Sequence, residues 1–581
     1  MGLTTHPTGL SEPGINRWRP FIIVALAAIL RLPGLDRVPP LLNQDEASRG
    51  YDAWCLLETG ADRHGERLPF FLESFGPGDN TAALSTYLTL PFVACLGPTP
   101  TALRLPAALL AVATVLLLYL WFRRWIGEPS ALIAAAALAI DPWHIALTRT
   151  AHESGFTPFF LVFAMLAMHR ADLLPGGSIH PRSFPRAWAF AAGLLFALHA
   201  WAYPATRLFT PLFCLAIGII SLSVYIKKTR SRPGSGTILA IVAGLIIGAA
   251  PLWLTALHHP GRLASRARAT LLIQPDRHVP DMLREFATHY AANLDPRYAF
   301  LQADEMSGAS IPHVGLHLIL LAPLWLIGLM RILTTLRRDP VSRLLFAWLL
   351  LYPIPAAICS DWNPHPLRSV AGILLFPIIT AIGGQWLIDR FARRSQKTRR
   401  SLAVASGLAL MLNLAHFADA YYLRFPPFAE DAYQTNLIRA IEFAAACKEG
   451  VDFILVTNEA NQPYIYALLA EPITPGALAL SRPLVTDGPR GFHQVLRAGR
   501  FLFVPIDPVG HPDARLLFQT LIDGLPPSGN GLVIERDRPD VTEPESPGVL
   551  YRTSAGTSTG NQPPFRHYRV RLWNPVSGAP G

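Results

Sequence analysis

The sequence predicts a polytopic α-helical membrane protein with about eleven transmembrane helices and a small C-terminal α/β domain outside the membrane. Three observations carry that expectation. The 581 residues are 51% hydrophobic and only 15% charged, with a mean hydropathy of +0.31, where a soluble chain carries about a quarter charged residues. Apolar windows long enough to cross a bilayer recur along the first 420 positions. The loops between those windows alternate in charge.

The windows lie near residues 18–35, 101–122, 129–147, 155–172, 187–204, 207–226, 237–257, 313–332, 341–358, 369–389 and 401–420. The first lacks a small-residue cleavage site and reads as a retained span, not a signal peptide. Basic residues gather at Arg17/Arg19, Arg123/Arg124, Arg170/Arg182/Arg186, Lys227/Lys228/Arg230/Arg232, Arg337/Arg338 and Arg390/Arg393/Arg394/Lys397/Arg399/Arg400. These are alternate loops, so the positive-inside rule places them, and the N-terminus, in the cytoplasm. The 36–100 loop, the 141–154 turn, the Tyr203 to Arg207 turn, the 258–312 loop, the 359–368 turn and everything after about 421 then face outward. The predicted division is a membrane domain over 1–420, including the first outward loop 36–100, and an extracytoplasmic domain over 421–581.

The C-terminal part has a different texture. It alternates short apolar runs such as "VDFILVT" and "RFLFVPI" with a helical stretch "QTNLIRAIEFAAAC" and many Pro and Gly turns, the pattern of a small α/β domain. From about Glu543 to Gly581 it is rich in Ser, Thr, Gly and Pro. The net charge of +10 does not point to nucleic acid, because the basic residues fall in short clusters between apolar segments and form no continuous face. Five cysteines form no CxxC pair, which argues against a cysteine metal site or a disulfide scaffold.

The residues with chemistry to offer sit in the outward loops. "LLNQDEASRGYDAW" begins about a turn past the first apolar run and holds the adjacent acids Asp45 and Glu46. A carboxylate beside low-dielectric lipid tends to have its pKa raised, which suits a general base. The plain alternative is an acidic helix start, with Asn43 or Asp45 as the cap and the charges favoured by the helix dipole. "DPWHIALTRTAHESGF" carries Arg149 and Glu153, either a local ion pair or a grip on an anionic headgroup beside an acid. Arg207 in "WAYPATRLF", and His365 and Arg368 in "SDWNPHPLRS", lie at the outer mouths of apolar helices. There they either reach for lipid headgroups or hold the phosphate of a lipid carrier. Neither a Gly-rich phosphate loop nor a nucleotide-binding βαβ unit is present, so the donor group should arrive already attached to a lipid.

The runs "LNQDEASRGYDAWCLLETGADRHGERLPFF", "STYLTLPFVACLGPTPTALRLPAAL", "ALTRTAHESGF", "YPATRLFTPL" and "NPHPLRS" resemble the bacterial glycosyltransferase family 39 proteins, relatives of protein O-mannosyltransferases and of lipid A aminoarabinose transferases. The resemblance spans residues 20 to 420, and "NEANQPYIYALL" extends it weakly into the C-terminal part. It implies a GT-C-like fold and an inverting transfer from a polyprenyl-phosphate-linked sugar at the outer face of the bacterial cytoplasmic membrane. By the same resemblance Asp45 is the catalytic aspartate, Glu46 its motif partner and Glu153 the acid of the second outward turn. His365 and Arg368 match a basic patch assigned to the donor phosphate, and Arg149 and Arg207 join it as phosphate-binding candidates. The extra β-trefoil of the eukaryotic mannosyltransferases is absent. The acceptor stays open among lipid, glycan and protein.

No cofactor is demanded. Asp45, Glu46 and Glu153 could share a divalent metal through their oxygens, but no motif spacing requires one. Two other functions compete. A transporter or flippase of lipid-linked precursors would place charges at the bilayer midplane, whereas here the centres of the spans are nearly free of ions. An assembly factor with an inactive membrane part has the intact Asp45–Glu46 pair against it.

Overall fold

The computed structural model describes residues 18–77, 79–175, 184–226, 233–274, 277–302, 311–392, 394–447, 450–457, 461–480, 485–487, 493–504, 530–537, 549–552 and 567–572. The basic positions Arg17, Arg182, Lys227, Lys228, Arg230, Arg232 and Arg393, and most of the 543–581 stretch, lie outside the described residues.

In chain order the helices are α1 (Arg19–Arg31), α2 (Gln44–Thr59), α3 (Leu84–Leu96), α4 (Pro100–Trp125), α5 (Glu128–Ala139), α6 (Pro142–Thr148), α7 (Thr157–Arg170), α8 (Pro185–Ala202), α9 (Pro204–Ile226), α10 (Ser235–Gly248), α11 (Ala250–His258) and α12 (Pro260–Thr270). They continue with α13 (Val279–Leu294), α14 (Pro296–Phe300), α15 (Ala322–Thr335), α16 (Pro340–Leu351), α17 (Ile354–Ala357), α18 (Gly372–Phe391), α19 (Gln396–Ala418), α20 (Phe425–Phe428), α21 (Thr435–Ala446), α22 (Tyr464–Ala470) and α23 (Pro475–Leu480). The chain is a multi-pass helical membrane protein. Among the described residues five helices are long and apolar enough to cross a membrane, or up to seven if each bent pair counts as one span.

Two of the eleven apolar windows correspond to the bent pairs, and the difference between five and seven spans is whether those pairs count. A hydropathy window registers apolar residues and is blind to helix continuity. The window at 129–147 is broken into α5 and α6, bent by 54°, and that at 237–257 into α10 and α11, bent by 50°. Each break falls beside a proline at the start of the second helix, Pro142 or Pro251, where the ring removes a backbone donor.

Packing divides the chain into two units. The first comprises Met1–Leu35, Ala82–Ser85 and Arg104–Phe425, and the second Asp36–Thr81, Thr86–Leu103 and Pro426–Gly581. In the first unit the extensive helix pairs are α8 with α10 and α15 with α18. Both are closed by reciprocal glycines. A Cβ at Gly193 would collide with the Ile241 carbonyl and one at Gly244 with that of Phe190; Gly328 and Gly383 meet the Ile379 and Leu324 carbonyls likewise. In lipid, where apolar side chains gain little by leaving the solvent, such backbone approach is the main source of helix attraction.

The second unit joins segments of the 36–103 region to the C-terminal region. Two small sheets pair β1 (Phe71–Glu73) with β2 (Asn80–Ala82) and β4 (Val485–Asp487) with β5 (His493–Val495), and the core is a six-stranded sheet in the order β6-β7-β3-β8-β10-β9, formed by β3 (Phe453–Thr457), β6 (Arg497–Ala498), β7 (Phe501–Val504), β8 (Gly531–Asp537), β9 (Val549–Arg552) and β10 (His567–Leu572). The predicted strands "VDFILVT" and "RFLFVPI" are β3 and β7, paired in parallel, and β8 pairs in parallel with the other edge of β3. Every residue of β3 is buried, the mark of a parallel strand covered on both faces. Helix α21 packs on β8 to β10, and α22 on β6 and β7. The 36–81 segment contributes α2, which packs on α22.

Candidate active site

Helix α2 holds the acidic pair, and the pair divides its work. Asn43, extended at the N-cap, accepts the Glu46 amide at 2.9 Å. Its own amide donates to Glu46 Oε2 at 3.1 Å. This reciprocal capping box satisfies two of the donors that a helix start leaves open, and Glu46 is fully buried in it. Asp45, one position earlier, is half-buried. Among the described residues its carboxylate has neither a hydrogen-bond partner nor an ion-pair partner. The helix ends at Gly60, whose φ of 71° gives the left-handed cap and whose amide returns to the Leu56 carbonyl at 3.0 Å.

The aim of α2 is fixed by a buried clasp. Arg63 donates from Nε to Asp52 Oδ1 at 2.8 Å and from Nη2 to Asp52 Oδ2 at 2.7 Å. It also reaches the Ser48 hydroxyl at 2.6 Å and the Ser74 carbonyl at 3.3 Å. Both partners of this ion pair are buried. Burial opposes the Arg63 charge, but the carboxylate of Asp52 overrides it and raises the guanidinium pKa above its ordinary value. The same unit adds a second hold: the Tyr51 hydroxyl donates to the Ile473 carbonyl and the Tyr464 hydroxyl to the Ser74 carbonyl at 3.3 Å. The sequence reading missed Arg63 and Tyr464. Asp52 and Arg63 stand eleven residues apart across a helix end, so no helical or strand period links them.

In the first unit the candidates form another group. Arg149 is fully buried. Its Nη1 donates to the carbonyls of Arg31 and Pro33, each at 2.9 Å, and its Nη2 to that of Gly34 at 2.9 Å. The Tyr422 ring lies 5.1 Å from its guanidinium carbon. Arg149 thus closes the C-terminal end of α1, whose last carbonyls lack helical partners. Arg31 does the same for α5, donating to the Ala139 carbonyl at 2.7 Å and the Leu138 carbonyl at 3.0 Å. Glu153 opens a buried 3-10 turn, Glu153–Phe156, capped by the ring nitrogen of His152, which accepts the Ser154 amide at 3.2 Å.

Three turns, 141–154, 203–207 and 359–368, meet around Tyr203. The His152 ring packs edge-on against Tyr203 at 5.5 Å, and Arg368 lies in electrostatic reach of the same phenol. Arg368 grips Asp361 through both ends of its guanidinium, Nη2 to Oδ2 at 2.7 Å. Burial would raise the Asp361 carboxyl, yet the bonds from Arg368 hold it below its ordinary value. His365 is 6% exposed. Its backbone is held by the Asn293 side chain at 3.3 Å, and its Nδ1 accepts the Leu367 amide at 3.2 Å. Arg207 is half-buried, four positions past Tyr203, in the first turns of α9. Among the described residues no group of three or more His, Cys, Asp or Glu is arranged to hold a metal ion.

Residues 82–174 match the family model described as "Dolichyl-phosphate-mannose-protein mannosyltransferase"; the match includes Arg149 and Glu153 and stops short of Asp45. No curated protein matches the chain. Among solved structures, ArnT from Cupriavidus metallidurans bound to undecaprenyl phosphate is similar with a TM-score of 0.53 and 13% identity, over 95% of this chain and 97% of that one. Its apo state gives 0.51 at the same identity and coverage. The archaeal oligosaccharyltransferase AglB from Archaeoglobus fulgidus gives 0.43 at 14% identity, over 78% of this chain and 63% of that one, too low to add weight. The chain shares its overall fold with that ArnT structure, a likeness that agrees with the GT-C-like fold the resemblance implied.

Proposed function

We propose that the protein is an integral-membrane glycosyltransferase that moves a sugar from a polyprenyl-phosphate donor to an envelope acceptor at the outer face of the cytoplasmic membrane, with inversion at the anomeric carbon. The observation that carries the reading is Asp45: a carboxylate left without a hydrogen-bond or ion-pair partner among the described residues, on a helix that is otherwise capped, clasped and buried. A base must be free to take a proton and held where it can do so, and this one meets both conditions. Glu46 then serves as the cap that sets the start of α2. The fold shared with ArnT, whose solved structure holds undecaprenyl phosphate, supports a lipid-phosphate donor.

In an inverting transfer the acceptor attacks the anomeric carbon as the bond to the donor phosphate breaks. The electron pair leaves with the phosphate, so negative charge grows there in the transition state, and preorganised cations stabilise it most effectively. Arg207, His365 and Arg368 are the residues assigned to that phosphate. Arg149, taken up by three backbone carbonyls, braces the turn that carries Glu153.

The test is mass spectrometry of envelope lipids and glycans from a deletion strain. One sugar should disappear, return with the wild-type gene, and fail to return with Asp45→Asn although the variant accumulates in the membrane. An unchanged sugar profile in the deletion strain would overturn the reading.

A further inference from the structure

Helix α22 brings to the acidic start of α2 one side chain that the chemistry above does not use. Tyr466 is 3% exposed, and its hydroxyl is buried with no hydrogen-bond partner among the described residues. Burying a hydroxyl unpaired is unfavourable, so its neighbours indicate what would complete it. Burial first, then the charges of Asp45 and Glu46 and the nearby Tyr433 phenol, push its pKa well above the ordinary value. The phenol therefore keeps its proton. Glu46 is already engaged with the Asn43 amide, whereas Asp45 has no partner among the described residues. One unit thus holds a proton donor and a proton acceptor in electrostatic reach of each other, both unsatisfied among the described residues.

We propose that Tyr466 supplies the acceptor side of the reaction centre: its hydroxyl donates a hydrogen bond to the acceptor's nucleophilic atom while Asp45 takes the proton from that same atom. The inference rests on the reading of Asp45 as the base. In the step, the acceptor oxygen forms a bond to the anomeric carbon, its proton passes to the Asp45 carboxylate, and the anomeric carbon–phosphate oxygen bond breaks with its electron pair going to phosphate. Tyr466 keeps its own proton throughout.

This arrangement also selects the acceptor's chemistry. A hydroxyl oxygen has one proton and two lone pairs, so it can give the proton to Asp45, accept from Tyr466 with one lone pair and attack with the other. A neutral amine has a single lone pair, which attack on the sugar requires. Between the two, the arrangement fits a hydroxyl acceptor, with its oxygen seated between the 36–81 segment and the C-terminal part of the same unit.

The test uses the full-length purified protein added to membranes from the deletion strain, which contain both unused donor and unused acceptor. Tyr466→Phe deletes one unbonded oxygen, so its melting temperature should equal or slightly exceed the wild type, while its initial rate of sugar transfer falls at least tenfold. Wild-type transfer by Tyr466→Phe would overturn the proposal. A double-mutant cycle makes the roles separable. If both groups act on one acceptor atom, Tyr466→Phe costs far less in the Asp45→Asn background than alone; an equal fold-loss in both backgrounds contradicts the shared atom. Full activity of Asp45→Asn would instead remove the base assignment on which the inference stands. The linkage in the product checks the acceptor class: an O-glycosidic bond is expected, and a sugar on nitrogen contradicts it.

Discussion

The 141–154 turn and the start of α2 are equally dense in ionisable side chains, yet they dispose of them in opposite ways. Around the turn, Arg149 gives its guanidinium to three carbonyls, the last of α1 and two just past it, and packs on Tyr422. At α2, Glu46 caps and Arg63 clasps, but Asp45 is left without a partner among the described residues. A buried charge that completes its surroundings is scaffold. A charge the scaffold leaves uncompleted, on an element held from several sides, is the better candidate for chemistry. Charge density alone cannot separate the two cases.

The contrast can be broken by substitution. Arg149→Leu should strip three carbonyls of their donors and destabilise the first unit by on the order of 4 kcal/mol, read as a large fall in melting temperature or loss of the protein from the membrane. A drop below about 1 kcal/mol would mean that the arginine is not scaffold. Arg63→Ala leaves Asp52 buried and uncompensated and should cost about 3 kcal/mol. Adding Asp52→Ala should recover part of that, and no recovery would deny the clasp. Asn43→Ala, which removes one half of the capping box, should cost about 1 kcal/mol and lower transfer as well, because the start of α2 would fray around Asp45.

The smallest effect is acid dependence at the 359–368 turn. Asp361 is depressed below its ordinary value by Arg368, so its ionised form stabilises the folded state above the unfolded carboxyl value of about 3.9. That contribution is lost as pH falls through the lower folded value. In Arg368→Gln the folded carboxyl is no longer held below its unfolded value, so the variant should be less stable at neutral pH and should lose less stability on acidification than the wild type, measured as melting temperature between pH 2 and 6. Identical profiles would show that the pair does not stabilise the turn.

How much of this was legible in the sequence follows from the range of each interaction. Hydropathy and the outward loops announced a membrane protein, and "VDFILVT" and "RFLFVPI" announced the sheet, because those signals are local. Helix continuity was not legible: at Pro142 and Pro251 an apolar run continues through a bent pair of helices. The Asp45–Glu46 pair stood out, and so did Asn43 as a cap, since a capping box lies within four residues. That Arg149 serves the α1 carbonyls more than a hundred residues away has no local signature. Tyr466 lies more than four hundred positions from Asp45 and in sequence is one tyrosine in an apolar helix.

The central claim is that Asp45 is the base of a sugar transfer, and the rate of transfer by purified Asp45→Asn on deletion-strain membranes tests it most directly. Loss of a positioned general base costs about 10²- to 10⁴-fold. A fall of that size at an unchanged melting temperature is the predicted result. Transfer within a few fold of the wild type would contradict it.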